Sequence, residues 1–344
     1  MASVPTSTDS AASLADAEDE ASNLPINAVE RVDPELRALL KKMPATTTFN
    51  QQWKINIFTF LMSIPGPTLK GVKSTKIKGG VGRLYFPRHK EKDSINSTGG
   101  AALIWIHGGG RIMGSASGAT ESIVCSKLVK RLGVPVLSAS YRLAPKHPFP
   151  AALDDLHASY EWLAQYLKEE HSDVRIAVAG ESAGGGLAAE LCQRLLDESK
   201  NGGALPNPVA QLLLYPMLDD RTCVNKRKAN GPPNFVWNST SNQYGWSSYL
   251  GPDHKPGDVK IPEYAAAARR DDLSSLPPAW IVAGDLDLFR DECKAYADRL
   301  EDAGVETKYV ELRGAFHGFF VMGKDEEPVV KVWESFVEFG LRHL

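Results

Sequence analysis

Short apolar runs and longer amphipathic ones take turns along this chain. The stretches "AALIWIHGGG", "VPVLSASYRL", "VRIAVAG", "VAQLLLYPM" and "PPAWIVAGD" each hold a brief Val, Ile, Leu and Ala core bounded by turn formers. Runs of this kind predict strands covered on both faces, as in a parallel sheet. Between them the apolar positions recur at helical spacing. "AALDDLHASYEWLAQYLKEE" sets Leu153, Leu156, Tyr160, Leu163 and Leu167 on one face. "CKAYADRLEDAG" puts Tyr296 and Leu300 one turn apart and stops at Gly304, and "PVVKVWESFVEFGLRHL" aligns Val330, Trp333, Val337 and Leu341. Strand alternating with helix predicts βαβ units and an α/β fold around a mostly parallel sheet. Upstream, "KSTKIKGGVGRLYFP" alternates about Gly79-Gly80 and predicts an antiparallel hairpin at the sheet edge.

Two segments break the alternation. Residues 25–68 read as helical, with Trp53, Phe58 and Phe60 as an aromatic cluster, and residues 216–268 read as irregular, with Trp237, Tyr244, Trp246 and Tyr249 among Pro, Gly and Asn. An irregular insertion of that length inside a compact domain is usually functional. Both are expected to form a cap over the remainder, residues 69–344. Residues 1–24, rich in Ser, Ala, Thr and Asp, are expected to be a disordered tail.

Composition narrows the class. A formal charge of −3 and the absence of a compact Lys/Arg block argue against a nucleic-acid partner. No apolar run is long enough to span a membrane. The N-terminus has neither the basic start nor the apolar stretch of a signal peptide, so a cytoplasmic location is expected. Cys125, Cys192, Cys223 and Cys293 lie far apart, without CxxC or zinc spacing, and read as reduced thiols. No HExxH occurs, and neither a metal nor a cofactor is expected. Asn96-Ser97-Thr98 and Asn238-Ser239-Thr240 match the glycosylation sequon, but without a secretory route neither is expected to be used.

The candidate chemistry centres on "VAGESAGGGLAAELC". Ser182 falls between a strand and a helix, in Gly180-Glu181-Ser182-Ala183-Gly184, which fits the G-x-S-x-G nucleophile elbow. The turn is so sharp that side chains two residues to either side would collide with the chain, and glycine removes both clashes. The helix N-terminus favours a developing alkoxide. Gly184-x-Gly186-x-x-Ala189 also fits a relaxed dinucleotide fingerprint, but its glycines lie inside the helix and residues 199–210 supply no acid for a ribose.

A serine needs a base, and the base needs an orienting group. Downstream lie His254, in the irregular insertion; His343, next to the chain end; and His317, in "GAFHGFF" after the strand-like "TKYVELRG". Position favours His317. The acid should close the preceding strand, where "AWIVAGDLDLFRDE" offers Asp285, Asp287 and Asp291; Asp291 falls near the start of the next helix, where capping accounts for it, which leaves Asp285 and Asp287. Donors for an oxyanion are available from the Ala183 backbone N–H and from "HGGG", where Gly108, Gly109 and Gly110 leave the chain bare.

With "HGGG", "YRLAPKHPFPAALDD", "GESAGGGLA", "DLFRDE" and "FHGF" in this order, the sequence from about residue 70 onward closely resembles the hormone-sensitive-lipase-like family of α/β-hydrolase esterases. The resemblance implies an α/β-hydrolase fold, a helical cap and a Ser–His–Asp triad. It assigns Ser182 as nucleophile, His317 as base and Asp287, just before "LFRDE", as acid. Gly109, Gly110 and Ala183 become oxyanion donors, with Gly108 as turn former or further donor. A receptor branch of the family keeps the serine and lacks the histidine; this chain has both. The expectation is a serine carboxylesterase for small to medium esters, with lactonase, deacetylase or amidase chemistry on the same triad, or ligand binding without catalysis, as alternatives. Related enzymes often form homodimers. Three positions depart from the family pattern: Glu181 replaces the commoner Asp, Lys146 replaces Glu, and Arg111 stands where an aromatic usually follows the glycines. Arg111 is therefore a candidate pocket residue, either paired internally with an acid such as Glu121 or reaching an oxygen-rich group on the substrate.

Overall fold

The computed structural model describes residues 29–40, 48–88, 99–224, 235–323 and 325–344. Its centre is an eight-stranded sheet in the order β1-β2-β4-β3-β5-β6-β7-β8. The hairpin strands β1 (Val72–Ile77) and β2 (Gly82–Pro87) pair antiparallel at one edge. From β4 (Val136–Ala139) through β3 (Ala101–Ile106), β5 (Arg175–Glu181), β6 (Ala210–Leu214) and β7 (Ala279–Gly284) to β8 (Thr307–Leu312) every pairing is parallel. The five apolar runs of the sequence are the five buried central strands.

Alternation within those runs divides the core in two. In β3, Ala102, Ile104 and Ile106 face one cluster, and Ala101, Leu103 and Trp105 face the other. The first cluster is closed by three helices, which we number by chain order as α4 (Ala151–Lys168), α5 (Ala183–Lys200) and α7 (Arg290–Asp302). The second is closed by α3 (Ala119–Leu132), α8 (Phe319–Met322) and α9 (Glu327–His343). Helices on both faces of a parallel sheet leave the carboxyl ends of the strands open for a site.

The N-terminal segment contributes two helices, α1 (Arg37–Leu40) and α2 (Gln52–Met62), and is otherwise non-helical or a single tight turn where described. The expected tail, residues 1–24, lies outside the described residues. The insertion departs from its irregular reading, because α6 (Ser239–Leu250) runs through it. Its sequence, STSNQYGWSSYL, carries no helical apolar stripe that would have announced it. The signal was at its start. The Asn238 side chain accepts the Ser241 N–H at 2.8 Å as an N-cap and donates through Nδ2 to Thr48 Oγ1 at 3.0 Å. The sequon match at Asn238 is thus a helix cap, and the one at Asn96 lies outside the described residues.

Candidate active site

Three loops at the carboxyl ends of β5, β7 and β8 bring Ser182, Asp287 and His317 together. Ser182 Oγ lies 2.9 Å from His317 Nε2, and His317 Nδ1 lies 2.8 Å from Asp287 Oδ2. All three are buried. Asp287 also accepts the Phe289 N–H on Oδ1 at 2.8 Å, which fixes the carboxylate plane. Asp285, the other acid on that loop, is turned away and accepts the Gly314 N–H at 2.6 Å. The imidazole is held edge-to-face between Tyr215 and Phe289, with ring centroids 4.9 and 5.1 Å away.

The glycines around Ser182 have identifiable causes. Ser182 sits at φ 52°, ψ −122°, a conformation that costs about 1–3 kcal/mol for a residue with a Cβ. A Cβ on Gly180 would fall 2.4 Å from the Gly184 carbonyl oxygen, and one on Gly184 would fall 2.2 Å from that of Ile106. Gly186 is closed off in the same way by Met217 O at 2.0 Å. The opening turn of α5 therefore packs backbone against backbone on the ends of β3 and β6. Ala183 is the first residue of α5, so its N–H is one of the helix-start donors that lack an intrahelical partner.

Gly108, Gly109 and Gly110 fold over the serine at the end of β3. Gly109 (φ 111°) accepts from the Ile112 and Met113 N–H groups, and Gly110 (φ 60°) lies so close to Trp237 that a Cβ would meet the ring at 2.2 Å. Gly108 packs on the Glu181 side chain, whose Oε1 a Cβ there would meet at 3.2 Å, and all three glycines line the space above Ser182. A cavity of about 340 Å³ opens above Ser182 and His317. Phe49, Phe58 and Met62 from the N-terminal segment and Val236 and Trp237 from the insertion form much of its apolar wall.

A family model for the alpha/beta hydrolase fold matches residues 103–321. Carboxylic ester hydrolase LipN of Mycobacterium tuberculosis is 33% identical over 263 residues, which is 75% of this chain and 66% of LipN, so the chain spans about two thirds of that relative. Ethyl acetate hydrolase of Pseudomonas putida is 30% identical over 263 residues, covering 76% of this chain and 78% of its own length. The chain belongs to the hormone-sensitive-lipase-like α/β-hydrolases. Among solved structures, a bacterial heroin esterase superposes on this hydrolase with a TM-score of 0.77 at 28% identity, covering 92% of this chain and 99% of its own.

Arg111 needs correction as a pocket residue. In this hydrolase its side chain is wholly buried and does not line the cavity. A left-handed backbone (φ 66°) swings it under the glycine loop toward α5, where it makes a bidentate pair with Glu190 at 2.7 and 3.0 Å and bonds Met217 O at 3.2 Å. The guanidinium lies over the rings of Trp246 and Tyr249 in α6, 4.3 and 4.1 Å from their centroids. Tyr249 also donates to Glu190 at 3.2 Å. One cation thus ties the glycine loop, the helix behind the serine and the insertion helix together. The acid is Glu190 and not Glu121, which accepts the Trp105 indole N–H at 2.6 Å instead. Arg111→Met is expected to destabilise the fold by about 3–5 kcal/mol, because it strands the Glu190 charge in the core. Denaturant unfolding measures the loss, which should shrink when Glu190→Met is added. The kcat/KM ratio between an acidic ester and its neutral analogue should not move in Arg111→Met. A shifted ratio would return the guanidinium to the substrate.

Sequence reasoning also passed over the groups behind the Ser182–His317–Asp287 line. Glu181 is buried, and its carboxylate accepts from Tyr215 at 3.0 Å; burial raises its pKa, while Tyr215 and the His317 imidazole hold it down. Burial likewise pushes the Glu121 carboxyl up to about 8, aided by the charge of Glu181. His107 stacks on Tyr141, with centroids 4.3 Å apart, and burial lowers its pKa to about 4. Tyr141 donates to the His107 carbonyl at 2.9 Å, and Arg142 beside it grips Asp155 at 2.8 Å, so the "YRLAPKHPFPAALDD" stretch braces the glycine loop from behind. Lys146 within it is exposed, and its reversed charge faces solvent. Among the described residues no helix is long and apolar enough to cross a membrane.

Proposed function

We propose that the chain is a serine carboxylesterase in which Ser182 is the nucleophile, His317 the general base and acid, and Asp287 the group that orients the imidazole. The observation that carries this reading is the continuous hydrogen-bonded line from Ser182 Oγ to His317 to Asp287, 2.9 and 2.8 Å long, on the floor of an apolar cavity. His317 Nε2 takes the hydroxyl proton as Oγ attacks the ester carbonyl, and the charge on the imidazole is balanced by Asp287. The N–H groups of Gly109, Gly110 and Ala183 meet the negative oxygen of the tetrahedral intermediate. The proton then passes to the departing alcohol, and water releases the acid by the same steps in reverse order. The N-terminal segment (25–68) and the insertion (216–268) act as the cap that shapes the acyl and alcohol sites. A volume of about 340 Å³ suits esters of small to medium size. The relatives named as ester hydrolases support the reaction class, and four cysteines that form no disulfide suit a reducing compartment such as the cytoplasm.

A fluorophosphonate probe tests the reading. It should label one site per chain, map to the peptide carrying Ser182, and abolish hydrolysis of p-nitrophenyl butyrate in step with labelling. Hydrolysis that survives full labelling of Ser182 would overturn it.

A further inference from the structure

Helix α2 has two apolar faces, and only one is used. Ile55 is buried, and Phe58 and Met62 line the cavity. On the opposite side Trp53, Ile57, Phe60, Leu61 and, just past the helix end, Ile64 follow one another at helical spacing, each 51–70% exposed. The aromatics expected to cluster on the body therefore part company: Phe58 turns inward, while Trp53 and Phe60 face solvent. A contiguous exposed stripe of this kind marks an interaction surface, whereas single exposed apolar residues do not.

The chemistry around the stripe says what would cover it. Between Glu35 and Glu91 the sequence holds eleven Lys and Arg residues and no Asp or Glu, although the whole chain carries −3. Lys54 on α2, and Lys70, Lys73, Lys76 and Lys78 on and beside β1, are all exposed, and among the described residues none of the five is paired with a carboxylate. The two features lie on one ribbon of chain. From α2 to β1 it runs down α3: Gly118 packs against Met62, Gly66 against Ala119, Ser122 bonds Gly66 O at 3.1 Å, and the Leu69 N–H donates to Ser126 at 3.2 Å. Lysines on an edge strand also discourage unwanted pairing, which accounts for Lys73 and Lys76 but not for an outward row of Trp, Ile, Phe and Leu. A second copy of the chain would meet this surface across a two-fold axis and set like charges against each other. An apolar stripe flanked by unpaired cations matches an anionic lipid interface.

We propose that the outer face of α2 and the basic β1 edge dock this protein on an anionic phospholipid surface. The apolar side chains enter the headgroup region while the lysines stay at its level. Because the inner face of α2 lines the cavity, docking brings the cavity mouth to the lipid, where esters dissolved in the membrane become available. This last consequence rests on the esterase reading; the docking itself does not.

The test is flotation of the full chain with vesicles of phosphatidylcholine alone and of phosphatidylcholine containing about one-third phosphatidylglycerol. The protein should float with the anionic vesicles, weakly or not at all with the neutral ones, and less as salt is raised. Trp53→Ser/Phe60→Ser and Lys70→Glu/Lys73→Glu should each reduce the partition coefficient by about tenfold or more. Both should keep kcat/KM for soluble p-nitrophenyl acetate within about twofold, since neither touches the cavity. Absence of binding to anionic vesicles overturns the proposal, as does equal binding to both kinds or wild-type binding by either double variant. A wild-type dimer that Trp53→Ser/Phe60→Ser converts to a monomer, without vesicle binding, would assign the stripe to a second copy. Vesicle binding without any esterase activity would leave the docking intact and sink the reading of the active site.

Discussion

Replacing Ser182 with alanine should lower kcat for p-nitrophenyl butyrate by about 10⁴–10⁶-fold and leave the fold unchanged. On the proposed mechanism the loss is large because the substitution removes the oxygen that forms the acyl-enzyme, and no proton transfer by His317 replaces it. Folding should persist because the elbow is held by its backbone. The Ser182 N–H donates to Leu214 O at 2.8 Å, and the Ser182 carbonyl accepts from Gly186 and Met217 at 3.1 and 2.9 Å. None of these bonds uses the hydroxyl. Alanine also bears the same Cβ strain at φ 52° as serine. The residual rate should still exceed that of water, since the glycine loop and the Ala183 N–H remain in place. Turnover near the wild-type rate, with unfolding midpoint and circular dichroism unchanged, would place the nucleophile elsewhere.

What the sequence disclosed follows from which interactions are local. The central strands were legible because each is a short apolar run buried on both faces, and the elbow was legible because the sharp turn demands Gly180 locally, where a Cβ would meet the Gly184 carbonyl, while Gly184 is demanded by the end of β3. The choice between Asp285 and Asp287 was different in kind. Both acids end the same strand, and periodicity does not separate them; only the family motif pointed to Asp287, and the hydrogen bonds of the folded chain show where each one is directed.

Other features depend on partners far away in sequence. Nothing near Arg111 announces that its guanidinium will meet Glu190, 79 positions on, and two rings from the insertion. The sign of its backbone φ decides the matter, and a non-glycine residue rarely takes that value without tertiary compulsion. Helix α6 was hidden because contacts to the body, such as Trp246 and Tyr249 on Arg111, stabilise it in place of an amphipathic stripe. Helix α2 was legible as helix within residues 25–68, but not which of its apolar side chains turn inward: Ile55 and Phe58 do, while Trp53, Ile57, Phe60 and Leu61 lie in solvent.

Asp287→Asn should cost about 10⁴-fold in kcat, and Asp285→Asn no more than a few-fold. The asymmetry comes from the bonds each carboxylate makes. Asp287 accepts twice, from Phe289 N–H on Oδ1 and from His317 Nδ1–H on Oδ2. Asparagine has one oxygen. The Phe289 amide is fixed in the loop and only donates, so it claims that oxygen and turns the NH₂ toward His317. Nδ1 must then become the acceptor, and the ring proton moves to Nε2. An imidazole protonated at Nε2 donates to Ser182 Oγ and is unable to take its proton, so attack loses its base while the geometry remains almost unchanged. At Asp285 the only bond in question is the Gly314 N–H at 2.6 Å. An asparagine oxygen accepts it as well, so the loop that carries His317 should stay in register, with about 0.5–1.5 kcal/mol lost from a weaker, uncharged bond. Steady-state kcat at neutral pH, measured alongside the unfolding midpoint of each variant, separates the two. A deeper loss in Asp285→Asn than in Asp287→Asn would reassign the acid.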